Sequence, residues 1–174
     1  MRYAEAMTAA MDLLAGDPRV IFLGQAVREK GTAMSGTLKN VPMNRRIEMP
    51  VAEEMQLGMS IGLALAGFVP VTFYPRFNFL LLAANQLVNH LDKLPLISGY
   101  RPKVIIRVGV GSERPLHPGL QHTGDFSDAF RVMLQTIPVV RLDETADIVP
   151  AYRHALERNG STILVEISDL YNER

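Results

Sequence analysis

Cysteine is absent from the chain, so disulfides and thiolate metal sites are excluded, a composition that fits a reducing, cytoplasmic setting. Net charge is absent too, with 18 basic residues against 18 acidic ones, and no global field steers the protein to nucleic acid or an anionic membrane. The N-terminus carries Glu5 and Asp12 among its apolar residues and so lacks the continuous apolar stretch of a signal peptide. No internal repeat and no low-complexity tract interrupts the chain. No histidine–carboxylate spacing makes a zinc site, so no metal ligand is assigned.

What is present is apolar and regularly punctuated. The 174 residues suffice for one domain with a real core, here taken as residues 1–174. The slightly positive mean hydropathy hints at a subunit interface rather than a lone monomer. Between Glu54 and Arg76 no residue is charged, but Gly58, Gly62, Gly67 and Pro70 divide that stretch. It reads as a buried helix and a buried strand rather than a membrane span.

Hydrophobic spacing predicts helices over Tyr3–Leu14, Ala52–Ala66, Phe77–Leu94 (stopped before Pro95), Phe126–Leu134 and Ala146–Arg158. Strands are predicted over Val20–Leu23, Ile47–Met49, Val69–Tyr74, Lys103–Val110, Val139–Leu142 and Ile163–Ile167. Gln25 to Arg46 reads as a long irregular loop, and a Gly/Pro/His-rich loop follows Val110 as far as Gly124. Strands alternate with helices and are continuously apolar. That argues an α/β fold of three layers, a mostly parallel sheet covered by helices on both faces. Ligands of such sheets bind at the carboxyl ends of the strands, here the loops after Leu23, Met49, Tyr74, Val108 and Leu142.

The most informative stretch is IEMPVAEEMQLGMSIGLALAGFVPV: a short strand, a proline, an acid at Glu53, then glycines at Gly58, Gly62 and Gly67. It resembles the pyrimidine-binding domain of thiamine-diphosphate enzymes, closest to transketolase and the β subunit of 2-oxoacid dehydrogenases. FYPRFNFLLLAANQLVNHLDKL is similar to the same subunit's FNF segment and its following helix. KVIIRVGVG and GLQHTGDFSDAF resemble its strand and Gln-His loop. The likeness runs over residues 18–168, with four motifs in order.

The resemblance implies thiamine diphosphate as cofactor and Glu53 as the acid that hydrogen-bonds N1′ of its pyrimidine. The coenzyme's own amino group can then remove the C2 proton of the thiazolium. A carboxyl at a helix start in a dry pocket suits that task, though an acid there also favours a helix N-terminus through the dipole alone. Glu54 projects about 100° away and reads as a cap or interface residue. By the same resemblance Phe79 stacks on the aminopyrimidine and Tyr74 closes the pocket, whereas Phe77 reads as core. His122, in the Gln-His loop, faces the reacting carbon, a role suited to a side chain that titrates near neutrality. His117 is a second candidate, and Arg76, Arg107 and Arg114 are candidates for an anionic sugar or keto acid. His90 and His154, in predicted helices, read as surface or packing residues. Gly58, Gly62 and Ala66 put small groups on one helix face, near a subunit contact in the family.

Two departures matter. Several relatives carry an acid after the glycine that ends the first strand, where this chain has Gln25 and Ala26. The Gly-Asp-Gly mark of the diphosphate-binding domain is missing, and there is no room for the C-terminal domain of a dehydrogenase β subunit. The expectation is a pyrimidine domain acting with a separately encoded, α-type chain that holds the diphosphate and magnesium, in a heterotetramer. Transketolase-like ketol transfer is favoured, with a 2-oxoacid dehydrogenase or decarboxylase subunit as the alternative. A catalytically degenerate, partner-binding subunit is a further reading. A nucleotide-binding doubly wound domain is disfavoured, because Gly24 is followed by a long loop rather than a Gly-rich turn into a helix.

Overall fold

The computed structural model describes residues 1–29, 32–111 and 117–172. The strands are β1 (Val20–Gly24), β2 (Arg46–Glu48), β3 (Val69–Tyr74), β4 (Ile105–Val110), β5 (Val139–Leu142) and β6 (Thr162–Ile167). They form one sheet in the order β2-β1-β3-β4-β6-β5, and every neighbouring pair runs parallel. Every residue of the central strands β3 and β4 is buried, which is why both read as unbroken apolar runs in the sequence.

The helices are α1 (Tyr3–Ala15), α2 (Ala33–Gly36), α3 (Glu53–Leu65), α4 (Phe77–Leu80), α5 (Leu94–Ser98), α6 (Ser127–Met133) and α7 (Thr145–Glu157). Alternate residues along the strands feed two separate cores, as the two-residue period of a strand requires. On one face α1 and α7 cover Phe22, Val71, Phe73, Ile105 and Leu164. On the other, α3, α4 and α6 cover Ile106, Val108, Ile163 and Val165. The result is the expected three layers.

Two local readings need correction. Phe77 to Leu94 is not one helix. α4 passes into a 3-10 turn at Leu81–Ala83 and then a π-helical turn at Gln86–Leu91. Pro95 does not stop a helix but lies in the first turn of α5, where a missing N–H costs nothing. Gly99, in the left-handed conformation at φ 72°, ends α5 instead. The long loop after β1 is also more ordered than its composition implies. Thr32 and Ser35 cap α2 reciprocally, side chain to backbone N–H, at 3.0 and 3.2 Å. The Arg45 guanidinium donates to the carbonyls of Ala15 and Val20, and that of Arg46 to those of Val27 and Val41.

Candidate active site at the carboxyl edge of the sheet

β2, β1, β3 and β4 are neighbours in the sheet, so the loops leaving their carboxyl ends are neighbours too. Glu53 follows β2 and is the first residue of α3. Its carboxyl group is nearly buried, with 6% of the residue exposed. One oxygen, Oε1, accepts a hydrogen bond from Nε2 of Gln25 at 3.1 Å. The other, Oε2, has no hydrogen-bond partner among the described residues.

The start of α3 is fastened to β3 at two points. The Tyr74 hydroxyl donates to the backbone carbonyl of Glu53 at 3.2 Å. Gln56, one turn on and fully buried, donates its amide to Thr72 Oγ1 at 2.8 Å and to the Phe73 carbonyl at 2.9 Å. Tyr74 itself is buried, and burial, with the Glu53 charge adding to it, pushes its phenol well above the ordinary tyrosine range. It meets Glu53 as a neutral donor to the backbone carbonyl. Glu54 is exposed and accepts a bond from Asn85 at 3.3 Å, tying α3 to the segment after α4. Gln56 escaped sequence reasoning; a glutamine on an otherwise apolar helix face, three residues from the acid, was the available signal.

The second group of side chains follows β3 and β4. Phe77 is core, stacked on Phe130 at 5.3 Å and edge-on to Phe126 at 5.8 Å. Phe79 is only half buried and meets the His122 ring edge-to-face, the centroids 5.5 Å apart. His122 closes a 3-10 turn, Leu120–His122; its Nδ1 is sealed from solvent and has no partner among the described residues. Arg76 is half buried, and its Nη1 reaches the carbonyls of Gly111 and His122, at 3.4 Å each. Asn78 accepts the Gly124 N–H at 3.1 Å, so the segment after β3 holds both ends of the His122 loop. The close approach of these segments requires Gly109, where a Cβ would stand 2.6 Å from the Pro75 carbonyl.

His117 is exposed, and its Nδ1 accepts the Gly119 N–H at 3.1 Å. His90 and His154 are exposed on helices away from this edge. Arg114 lies outside the described residues. Arg107 is a correction: it is not near a strand end but fully buried, paired with Glu166 through Nε at 2.5 Å and Nη2 at 3.0 Å. It also lies over the Phe73 ring at 4.2 Å, so it belongs to the core rather than to substrate.

The geometry thus joins Gln25, Glu53 and Tyr74 in one bonded set and Arg76, Phe79 and His122 in another, with the end of β3 common to both. A free carboxylate oxygen and a half-exposed aromatic ring are what a flat, nitrogen-bearing heterocycle requires. Among the described residues no three His, Cys, Asp or Glu side chains converge as for a metal ion. Among the described residues no helix is long and apolar enough to cross a membrane; the uncharged stretch after Glu54 is α3 followed by β3.

Comparison with known proteins places the chain in a family. The pyruvate dehydrogenase E1 component subunit beta of Staurastrum punctulatum is 29% identical over 164 residues, 90% of this chain and 48% of that protein. The 3-methyl-2-oxobutanoate dehydrogenase subunit beta of Mycobacterium tuberculosis is 27% identical over 172 residues, 95% of this chain and 48% of that one. The chain spans about half the length of these curated relatives. A solved structure described as a split gene transketolase, inactive beta4 tetramer, superposes with a TM-score of 0.75 at 17% identity, covering 97% of this chain and 52% of that one. The family described as "Transketolase, pyrimidine binding domain" matches residues 1–173, and the chain belongs to this family of thiamine-diphosphate enzymes.

Proposed function

We propose that this chain is a single pyrimidine-binding domain, residues 1–174, which supplies the aminopyrimidine half of a thiamine-diphosphate site. A separate α-type chain supplies the diphosphate and magnesium half, and two copies of each form a heterotetramer. The observation that carries the reading is the Glu53 carboxylate: buried at a helix start, one oxygen held and the other without a partner. When bound, thiamine diphosphate supplies a carbon nucleophile for attack on a 2-oxo or ketose carbonyl.

The chain's residues have distinct parts in this. Glu53 Oε2 meets N1′ of the pyrimidine and holds a proton there. Phe79 offers its ring to the flat heterocycle. His122 exchanges a hydrogen bond with substrate oxygen. Arg76 acts through the carbonyl of His122, holding the loop that carries it; His117 stands further out, as an outer contact for a substrate anion.

We favour transketolase-like ketol transfer. The named β subunits among the sequence relatives favour the second reading, a 2-oxoacid dehydrogenase or decarboxylase subunit. Thiamine-diphosphate titration of the isolated chain, of its partner and of the mixture tests the shared site. Negligible binding by this chain alone and binding restored by the partner are expected. Tight binding by the isolated chain contradicts the proposal.

A further inference from the structure

Gln25 is a residue for which the reading above has no use, yet the fold goes to some length to present it. Gly24 precedes it at φ 152°, and a Cβ there would lie 2.8 Å from the Phe73 Cβ and 2.9 Å from the Phe73 carbonyl oxygen. Ala26 follows it at φ 58°, the one non-glycine residue described with a positive φ. Alanine does not adopt that conformation without support. The support is Glu48, at the end of β2, whose two carboxylate oxygens accept the N–H groups of Ala26 at 2.5 Å and Arg28 at 2.8 Å. The same strand end that clamps this turn leads, through Pro50, into Glu53. The product of the turn is a half-buried amide whose nitrogen reaches Glu53 Oε1.

We propose that Gln25 is a positioning residue, which holds Oε1 of Glu53 and so leaves Oε2 as the oxygen that meets the aminopyrimidine nitrogen. This rests on the thiamine-diphosphate reading. A carboxylate on a helix N-terminal residue rotates about its last side-chain bond unless something fixes it. A neutral amide fixes it by donating to one oxygen, which leaves the other turned to N1′. An acid at position 25 could donate only while it held a proton of its own.

That difference gives the test. The complex is assembled with its partner chain, and its thiamine-diphosphate dissociation constant is measured by calorimetry between about pH 5.5 and pH 8. Wild type, Gln25→Ala and Gln25→Glu are compared, with thermal unfolding of each recorded. Gln25→Ala is expected to weaken binding about tenfold at every pH, since a hydrogen bond to a charged group is lost. Gln25→Glu is expected to match wild type at the acid end and to approach Gln25→Ala at the alkaline end, as the new carboxyl loses its proton. Glu53 itself and the other ionisable side chains on the elements that meet here, among them Arg28, Arg46, Glu48, Glu54, Tyr74, Arg76 and His122, are common to all three proteins. The difference between the profiles therefore belongs to residue 25. A purely structural role moves the unfolding temperature but creates no new pH dependence, and that result overturns the proposal. Wild-type affinity in both variants across the range also overturns it. If the wild-type complex binds no thiamine diphosphate, the parent reading falls and takes this one with it. Binding by wild type with indifferent Gln25 variants removes this proposal alone.

Discussion

Arg107 and Glu166 pair diagonally across the adjacent strands β4 and β6, and neither side chain touches solvent. Their charges are tolerated because each is fully engaged. Glu166 accepts from Arg107 and from the hydroxyls of Tyr152 at 2.7 Å and Tyr171 at 2.5 Å, and Arg107 also donates to Thr37 at 3.1 Å. Removing one partner strands the other in an apolar core, so Arg107→Ala is expected to cost about 3–5 kcal/mol of stability, read from urea unfolding. The Michaelis constant of the assembled enzyme for an anionic substrate should not change; a selective rise would return Arg107 to the site. An arginine looks the same in a sequence whether it serves a ligand or a buried partner. What distinguishes them here is an acid 59 residues away, which no local pattern reveals. The place of Glu53 at the start of a helix was legible for the opposite reason, because strand, proline, acid and helix follow one another directly. Its bond to Gln25 spans 28 residues and was not.

The segment between β3 and β4 gives the same lesson for elements. Its apolar spacing announced a helix, but spacing does not report the changes of helical pitch that end at Asp92. That residue is fully buried, and its carboxylate accepts the N–H groups of Gln135 and Thr136, pinning the segment to the loop after α6. Burial by itself would raise the Asp92 carboxyl, but Lys93 and these N–H donors outweigh it and hold the carboxyl below the ordinary range. A carboxyl depressed in the fold stabilises it fully above its unfolded value, near 4. That stability fades as the pH falls through the lower, folded value. Urea midpoints measured from pH 6 down to about pH 2.5 should therefore fall more steeply for wild type than for Asp92→Asn. Parallel curves would mean that Asp92 does not act as a charge. The central strands and the mostly parallel sheet were legible because a buried parallel strand is a continuous apolar run, whereas the order of the strands was not. The caps and arginine braces of the loop after β1 were not, since they join residues without any periodic signal.

At the scale of the whole molecule, α3 buries its inner face and leaves the outer one apolar. Met55, Leu65 and Phe68 are exposed, and a Cβ added at Gly62 meets nothing within 4 Å. Such a face fits the subunit contact that the small residues of this helix suggest. Gly62→Leu should leave the isolated chain folded, since leucine is the better helix former by roughly 1 kcal/mol, and should lower the assembled fraction in sedimentation. Unchanged assembly would show this face to be free. In the proposed assembly each chain brings part of the active site, and the part proposed for this chain is the Glu53 carboxylate. Turnover of the complex carrying Glu53→Gln, whose amide keeps the shape but cannot hold the proton, is the most direct measurement. The account predicts a loss of at least about 100-fold with assembly intact; turnover equal to wild type would contradict it.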